Sequence, residues 1–371
     1  MRILVAVSSY SLPEDKGTGF FVRGRNIYYK LNGIDVTVLN FNAKNDYIRD
    51  QISVYSLRTF KEKLIHEHFD ILVCHAPNIR NCYFFLKKFN KKFEKIVFIF
   101  HGHEILNINK VYPAPYSYLK QSYLKKIFIG FYDNMKFTLW HYYYQKLVFK
   151  SHFVFVSNWL FNAFIKWIKI PPAIIQKKCM IIPNSVGFVF EHENYDINAK
   201  KNYDFITIRS VLDGSTYCID IVNQLAKNNP QFSFMVIGKG KYFDYNEKAK
   251  NLTLVNKNLE HKEIISFLNN SRCALMPTRQ DTHGLMACEM ATFGIPVITS
   301  DIPVCREVFS SFNNVKFIDN DVTSISLNTF IVELERDLPY KKNDTFLSTN
   351  TTQKEIELFN KIVDVNKCTI L

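Results

Sequence analysis

Asp281 and Glu289 are the two residues from which a chemistry can be built. Both are acidic, and both fall in one stretch, MPTRQDTHGLMACEMATFGIPVITSD, running from Met276 to Asp301. Its apolar pattern reads as the end of a buried strand at Cys273 to Met276, a polar turn closed by Gly284, and a helix from Leu285 to Phe293. Gly294 stands where a C-cap glycine belongs, and Pro296 to Thr299 is a second strand. Such a strand–turn–helix–strand unit is the element of a parallel α/β sheet. Asp281 lies in the turn, and Glu289 lies inside the helix beside Ala287, Cys288, Met290 and Ala291. An ionised carboxylate among such neighbours is costly unless it is hydrogen-bonded, and the vicinal hydroxyls of a ribose would supply those bonds. The helix start offers backbone N–H groups and the positive end of the dipole, which suit a diphosphate. Read this way the pair forms a sugar-nucleotide site: ribose on Glu289, diphosphate against Gly284 and Leu285, transferred sugar near Asp281. Spacing alone fits equally a surface-facing Glu and an ordinary N-cap Asp.

The stretch resembles the paired-acid motif of the retaining glycosyltransferases of family 4. Gly284-Leu285, Glu289-Met290-Ala291 and Gly294-Ile295-Pro296-Val297 fall at the motif's usual places, while Asp281 stands where most members carry Glu. The resemblance implies a GT-B fold, α/β with two Rossmann-like parallel-sheet domains facing a central cleft. It implies retaining sugar transfer from a UDP- or GDP-sugar, with the leaving phosphate taking the acceptor's proton; of the two, UDP is the favoured expectation. No cofactor and no divalent metal are expected. His101, which follows the apolar run Ile96 to Phe100, fits the family's strand-end histidine facing the transferred sugar. Arg209, with Lys239, is assigned to the diphosphate. Where the family places a second phosphate-clamping Lys, this chain has Thr216, which can hydrogen-bond a phosphate but brings no charge. Losing one such contact costs about 3 kcal/mol of transition-state stabilisation. Thr216 and Asp281 keep open a catalytically silent GT-B subunit supporting another transferase, and a GT-B nucleotide-sugar epimerase is a further alternative.

The elements that position these residues follow from the alternation of apolar runs. Strands are expected at Arg2 to Ser8, Asp35 to Phe41, Asp70 to Cys74, Lys95 to Phe100, His152 to Val156 and Cys179 to Ile182, with helical patterns between several of them. The loop Pro13 to Gly19 follows the first strand; Gly17 and Gly19 are candidates for close backbone approach to the donor, and a simple tight turn is the other reading. His103 and Glu104 are candidates for acceptor binding or for capping the next helix. A second series runs through Phe205 to Arg209, Phe232 to Ile237, Leu252 to Val255 and Val315 to Ile318, with Asp319-Asn320-Asp321 read as a turn. Ligands of such sheets sit at the C-terminal ends of the strands. The expected division is an acceptor-binding domain over 1–185, a nucleotide-sugar domain over 186–345, and a C-terminal helix over 346–371 crossing back to the first.

Composition narrows the partners. A chain of 371 residues with 47% hydrophobic residues can build two ordinary cores, and its net charge of +13 points to an anionic partner. Eight cysteines are scattered without a CxxC pair, the pattern of reduced, packed thiols. No apolar run is long enough for a transmembrane helix, and the N-terminus lacks the core of a signal peptide, so a cytoplasmic location is expected. Residues 111–150 interleave aromatics such as Tyr123, Phe128, Phe131, Trp140 and Tyr144 with Lys120, Lys125, Lys126, Lys136, Lys146 and Lys150. They read either as a face for an anionic membrane or as an aromatic core helix pair with a solvated lysine face. A nucleic-acid partner lacks any accompanying recognition motif. The family resemblance implies a nucleotide sugar and a glycan or polyprenyl-linked acceptor as partners, and residues 111–150 add the inner membrane surface, as in capsule, exopolysaccharide or lipopolysaccharide assembly.

Overall fold

The computed structural model describes residues 1–12, 20–120, 122–321 and 325–367; Gly17, Gly19 and Cys368 lie outside the described residues. The chain divides into two compact units. One comprises residues 1–108, 128–185 and 347–371, the other residues 109–127 and 186–346. The segment 109–127, expected with the first domain, thus groups with the second.

The first unit is built on β1 (Arg2–Val7), β2 (Asp35–Asn40), β3 (Tyr47–Arg49), β4 (Ile52–Ser56), β5 (Ile71–His75), β6 (Ile96–Phe100), β7 (Ser151–Phe155) and β8 (Cys179–Ile181). Their order is β3-β4-β2-β1-β5-β6-β7-β8, parallel except where β3 meets β4. The buried strands are nearly continuous Val, Ile, Leu and Phe, as sheets covered on both faces require. Sequence reading missed β3 and β4, whose short, polar-interrupted runs carry little periodic signal. The helix α1 (Phe20–Leu31) and the C-terminal helix Thr352–Lys367 pack together over this sheet, Tyr29 meeting Phe359 edge-on. Between them Arg25 and Glu355, both fully buried, pair at 2.9 Å; Tyr29 donates to the same carboxylate and Arg25 Nη1 donates to Asn184 Oδ1.

The second unit has β9 (Tyr203–Val211), β10 (Phe234–Lys239), β11 (Leu252–Val255), β12 (Ser271–Met276), β13 (Val297–Ser300) and β14 (Val315–Ile318) in the order β11-β10-β9-β12-β13-β14, with parallel pairings throughout. β9 runs two residues past the expected end at Arg209. A register shift at Gly238 in β10 lets Lys239 pair with Val211, and Leu212 N–H then donates to Lys239 O. Arg209 is consequently held inside the strand.

The 111–150 segment resolves into two halves. The helix α2 (Tyr123–Leu147) buries Phe137, Trp140, Tyr143, Tyr144 and Leu147 at its C-terminal half, so the core reading holds there. Its N-terminal half exposes Leu124, Ile127, Phe128 and Phe131 at the i, i+3, i+4, i+7 spacing of a single helical stripe. Lys125 and Lys126 are exposed beside it. Lys136, expected on the solvated face, is instead buried and paired with buried Asp133 at 2.7 Å. The opposite charge and two backbone carbonyls, of His103 and Leu106, satisfy the ammonium there. Lys150 likewise turns inward, donating to the carbonyls of Asn90 and Phe93.

Candidate functional site

The second unit brings most of the sequence candidates to the C-terminal end of its sheet. The helix α3 (Leu285–Phe293) begins after Gly284, whose φ of 73° is left-handed, and stops at Gly294, φ 99°. It is apolar on almost every side and nearly all buried, which a helix between sheet and neighbours must be. Glu289 sits in that helix with 3% exposure. Its Oε1 accepts the Gly187 N–H at 3.1 Å and lies 3.7 Å from His261 Nε2. A Cβ at Gly187 would lie 2.5 Å from His261 Cε1 and 3.2 Å from Glu289 Oε1, so a larger residue there would displace the His261 ring. Burial pushes the Glu289 carboxyl up to about 8, with the Gly187 N–H pulling weakly the other way. Near neutral pH it is therefore largely protonated, and the surface-facing alternative for Glu289 is removed.

Asp281 caps its own turn. Its Oδ1 accepts the N–H groups of Thr282 at 2.7 Å, His283 at 3.2 Å and Gly284 at 2.7 Å. The Gly284 N–H expected to face a diphosphate is thus spent inside the turn, a correction forced by the tight Asx geometry. The Leu285 N–H that follows belongs to the first helical turn, where no intrahelical acceptor exists. The other carboxylate oxygen of Asp281, Oδ2, makes no hydrogen bond among the described residues.

Arg209 is 7% exposed, and no carboxylate lies within ion-pair distance of it among the described residues. Its Nη2 donates to Pro277 O at 2.7 Å, its guanidinium lies 5.1 Å over the Tyr217 ring, and its Nε is buried without a partner. Burial lowers its pKa, while the charge of Asp281 opposes that shift, so the two groups share one electrostatic environment. A buried cation with an unspent N–H is costly unless an anion completes it. Lys239, at the end of β10, is exposed.

Thr216 lies in a turn (Ser215–Tyr217) whose backbone is locked to the β12 loop. Thr216 O accepts the Arg279 N–H at 2.9 Å and the Thr278 hydroxyl at 3.2 Å. Arg279, which sequence reading did not single out, supplies no substitute for the missing Lys: its terminal nitrogens bind the Asp220 carboxylate and Ser215 O. Asn320 pins the same loop, accepting from Ser300 Oγ and donating to Thr278 O, so the expected turn at 319–321 has a structural task. Gly187 and His261 were also missed; a contact separated by 102 positions leaves no local signal.

In the first unit, His101 follows β6. Glu104 is buried and its Oε1 accepts the backbone N–H groups of His101 and Gly102, so it shapes this loop and is not turned toward an acceptor. His101 Nε2 meets His75 Nδ1 at 3.1 Å.

Residues 191–343 match the family described as "Glycosyl transferases group 1", and this segment contains Arg209, Thr216, Lys239, Asp281 and Glu289. Over 189 residues the chain is 28% identical to the O-antigen biosynthesis glycosyltransferase WclY of Escherichia coli, an alignment covering 46% of this chain and 52% of that protein. The chain thus spans about half the length of the curated relatives it matches. Two solved structures are similar along nearly the whole chain. Sucrose-phosphate synthase from Thermosynechococcus elongatus has a TM-score of 0.67 at 12% identity, covering 98% of this chain and 99% of that one. A glycosyltransferase from Rickettsia africae has a TM-score of 0.66 at 12% identity, covering 98% of each. The fold is the GT-B fold of these solved structures, and the family match is confined to residues 191–343.

Proposed function

We propose that this chain is a retaining glycosyltransferase that moves a sugar from a nucleoside diphosphate sugar to a hydroxyl of a glycan or lipid-linked acceptor in bacterial surface-polysaccharide assembly. The observation that carries the reading is Arg209: a buried guanidinium with an unpartnered Nε, inside the segment that matches the group 1 glycosyl transferase family. A diphosphate supplies the missing anion. Glu289, protonated by burial, can both donate to and accept from a ribose hydroxyl. Asp281 Oδ2 and His101 are assigned to hydroxyls of the transferred sugar, Lys239 and the Leu285 N–H to the diphosphate. In the reaction the acceptor oxygen attacks the anomeric carbon, the bond to the diphosphate oxygen breaks, and the acceptor's proton passes to the leaving phosphate. Positioning and charge stabilisation then supply most of the catalysis, without a metal or cofactor. UDP is the preferred nucleotide, and the similarity to an O-antigen transferase supports the class of product.

The exposed stripe on α2, with its lysines and the chain's net charge of +13, supports peripheral attachment to an anionic membrane at the cytoplasmic face. Thr216 favours one second reading, a GT-B subunit without turnover of its own. Donor hydrolysis by the wild type and by Glu289→Ala separates the two. Turnover that disappears in the variant supports the transferase, whereas folded proteins that are equally inert support the silent subunit. A thermal-shift screen across UDP- and GDP-sugars identifies the donor.

A further inference from the structure

We infer that His75 is a positioning residue that sets the tautomer of His101, so that neutral His101 carries its proton on Nδ1, the nitrogen turned away from His75. β5 ends at His75 and His101 follows β6; the two strands pair in parallel with His75 opposite Ile99. The bond from His75 Nδ1 to His101 Nε2 is 3.1 Å, the ring planes differ by 19°, and the centroids are 5.4 Å apart. That separation is the sum of one hydrogen bond and two ring radii, so the imidazoles meet edge to edge with lone pair and N–H in line. Phe21 packs on the His101 ring at 4.5 Å between centroids, and Glu104 holds the His101 backbone N–H. Ring and main chain are both fixed.

One proton fits between the two nitrogens, and burial chooses its owner. His75 is 4% exposed and its Nε2 has no hydrogen-bond partner. If His101 Nε2 held the proton, neutral His75 would have to carry its own on Nε2, an orphaned buried N–H, which is the rarest kind of unsatisfied group. With the proton on His75 Nδ1, only a lone pair is left there. Burial, helped by the charge of Arg25, keeps His75 neutral well below the usual histidine range, which excludes the doubly protonated form. The arrangement reverses the default of a solvated histidine side chain, whose neutral form prefers Nε2–H. Resting on the proposed sugar-binding role, it makes His101 Nδ1 a donor toward a sugar oxygen and never an acceptor.

The test is long-range ¹H–¹⁵N correlation on the full chain labelled with ¹⁵N-histidine, with His101 assigned by its loss in His101→Gln. The expected wild-type spectrum has an N–H-type nitrogen at Nδ1 and a lone-pair-type nitrogen at Nε2. His75→Asn places an amide donor where Nδ1 was and retains this pattern. His75→Phe removes the donor and returns His101 to Nε2–H. If the transferase reading holds, His75→Phe lowers kcat/KM about tenfold, mostly through kcat, and His75→Asn recovers most of the loss. A wild-type His101 with its proton on Nε2, or a pattern indifferent to His75→Phe, overturns the inference. The wild-type spectrum decides even if His75→Phe fails to fold. It needs no sugar nucleotide, so an Nδ1–H spectrum in an inert protein sinks the transferase reading alone.

Discussion

Glu289 links the site to stability through pH. The folded protein holds its proton up to about 8, whereas the unfolded chain releases it near 4.5. Between those values the folded state binds the extra proton, so this group's contribution is full at pH below 4.5 and is lost as pH rises through 8. Glu289→Gln keeps the shape and removes the ionisation. Its melting curve should match wild type near pH 4.5 and pull ahead as the pH rises, by a few kcal/mol at pH 8.5. Parallel pH profiles for the two proteins would refute the buried carboxyl. Arg209 makes the opposite trade between stability and function. Arg209→Met should stabilise the unliganded protein by roughly 1–3 kcal/mol, because an uncompensated buried charge is replaced by a packed side chain. The same variant should lose donor-induced thermal shift; a variant that is less stable yet still binds donor contradicts the assignment. At Gly187 a methyl group would push the His261 ring from its place beside Glu289. Gly187→Ala is expected to raise the donor's Kd with a far smaller change in melting temperature, measurable by titration of the nucleotide sugar.

Among the elements, α2 performs two jobs with two faces. Its buried half carries Lys136, which ties the His103 and Leu106 carbonyls to the helix, so the loop bearing His101 is anchored there. Its outer stripe packs against nothing in the described chain: Leu124 is 74% exposed, Phe128 and Phe131 68% each. Replacing Phe128 and Phe131 with Ser should change stability by less than about 0.5 kcal/mol. It should nonetheless abolish flotation with vesicles containing anionic lipid. Flotation that the double variant retains, or wild-type protein that fails to bind at any salt concentration, rules out this face as the membrane contact.

For the molecule as a whole, the first unit is closed by its own C-terminal helix. Ile356, Leu358, Phe359 and Ile362 join the core beneath α1, and Glu355 neutralises Arg25 where neither group reaches water. Removing one partner of such a pair is expensive, about 3–5 kcal/mol. Glu355→Ala should therefore lower amide protection in β1, β2 and β5 by that amount, read by hydrogen exchange, while β9, β12 and β13 keep theirs. Equal loss in both sheets would mean that the two units unfold as one.

How much of this was legible beforehand depended on distance along the chain. Local periodicity was enough for the α/β alternation, for helix 285–293 with its glycine ends, and for strands such as Leu252–Val255 and Val315–Ile318. Those signals are written within a few turns of chain, where hydrophobic spacing and capping act. The same reading could not see β3 and β4, the extension of β9 past Arg209, or the inward turn of Lys136. β3 and β4 form a hairpin too short to carry a period, while the β9 extension depends on β10 and the inward turn of Lys136 on the His103 and Leu106 carbonyls, 33 and 30 positions away. The sequence by itself determined that Asp281 and Glu289 stand in the turn and helix of a parallel α/β unit. Only the tertiary structure decided that Glu289 is buried against Gly187 and His261 and that His75 and His101 are hydrogen-bonded, because these partners lie 26 or more positions away along the chain.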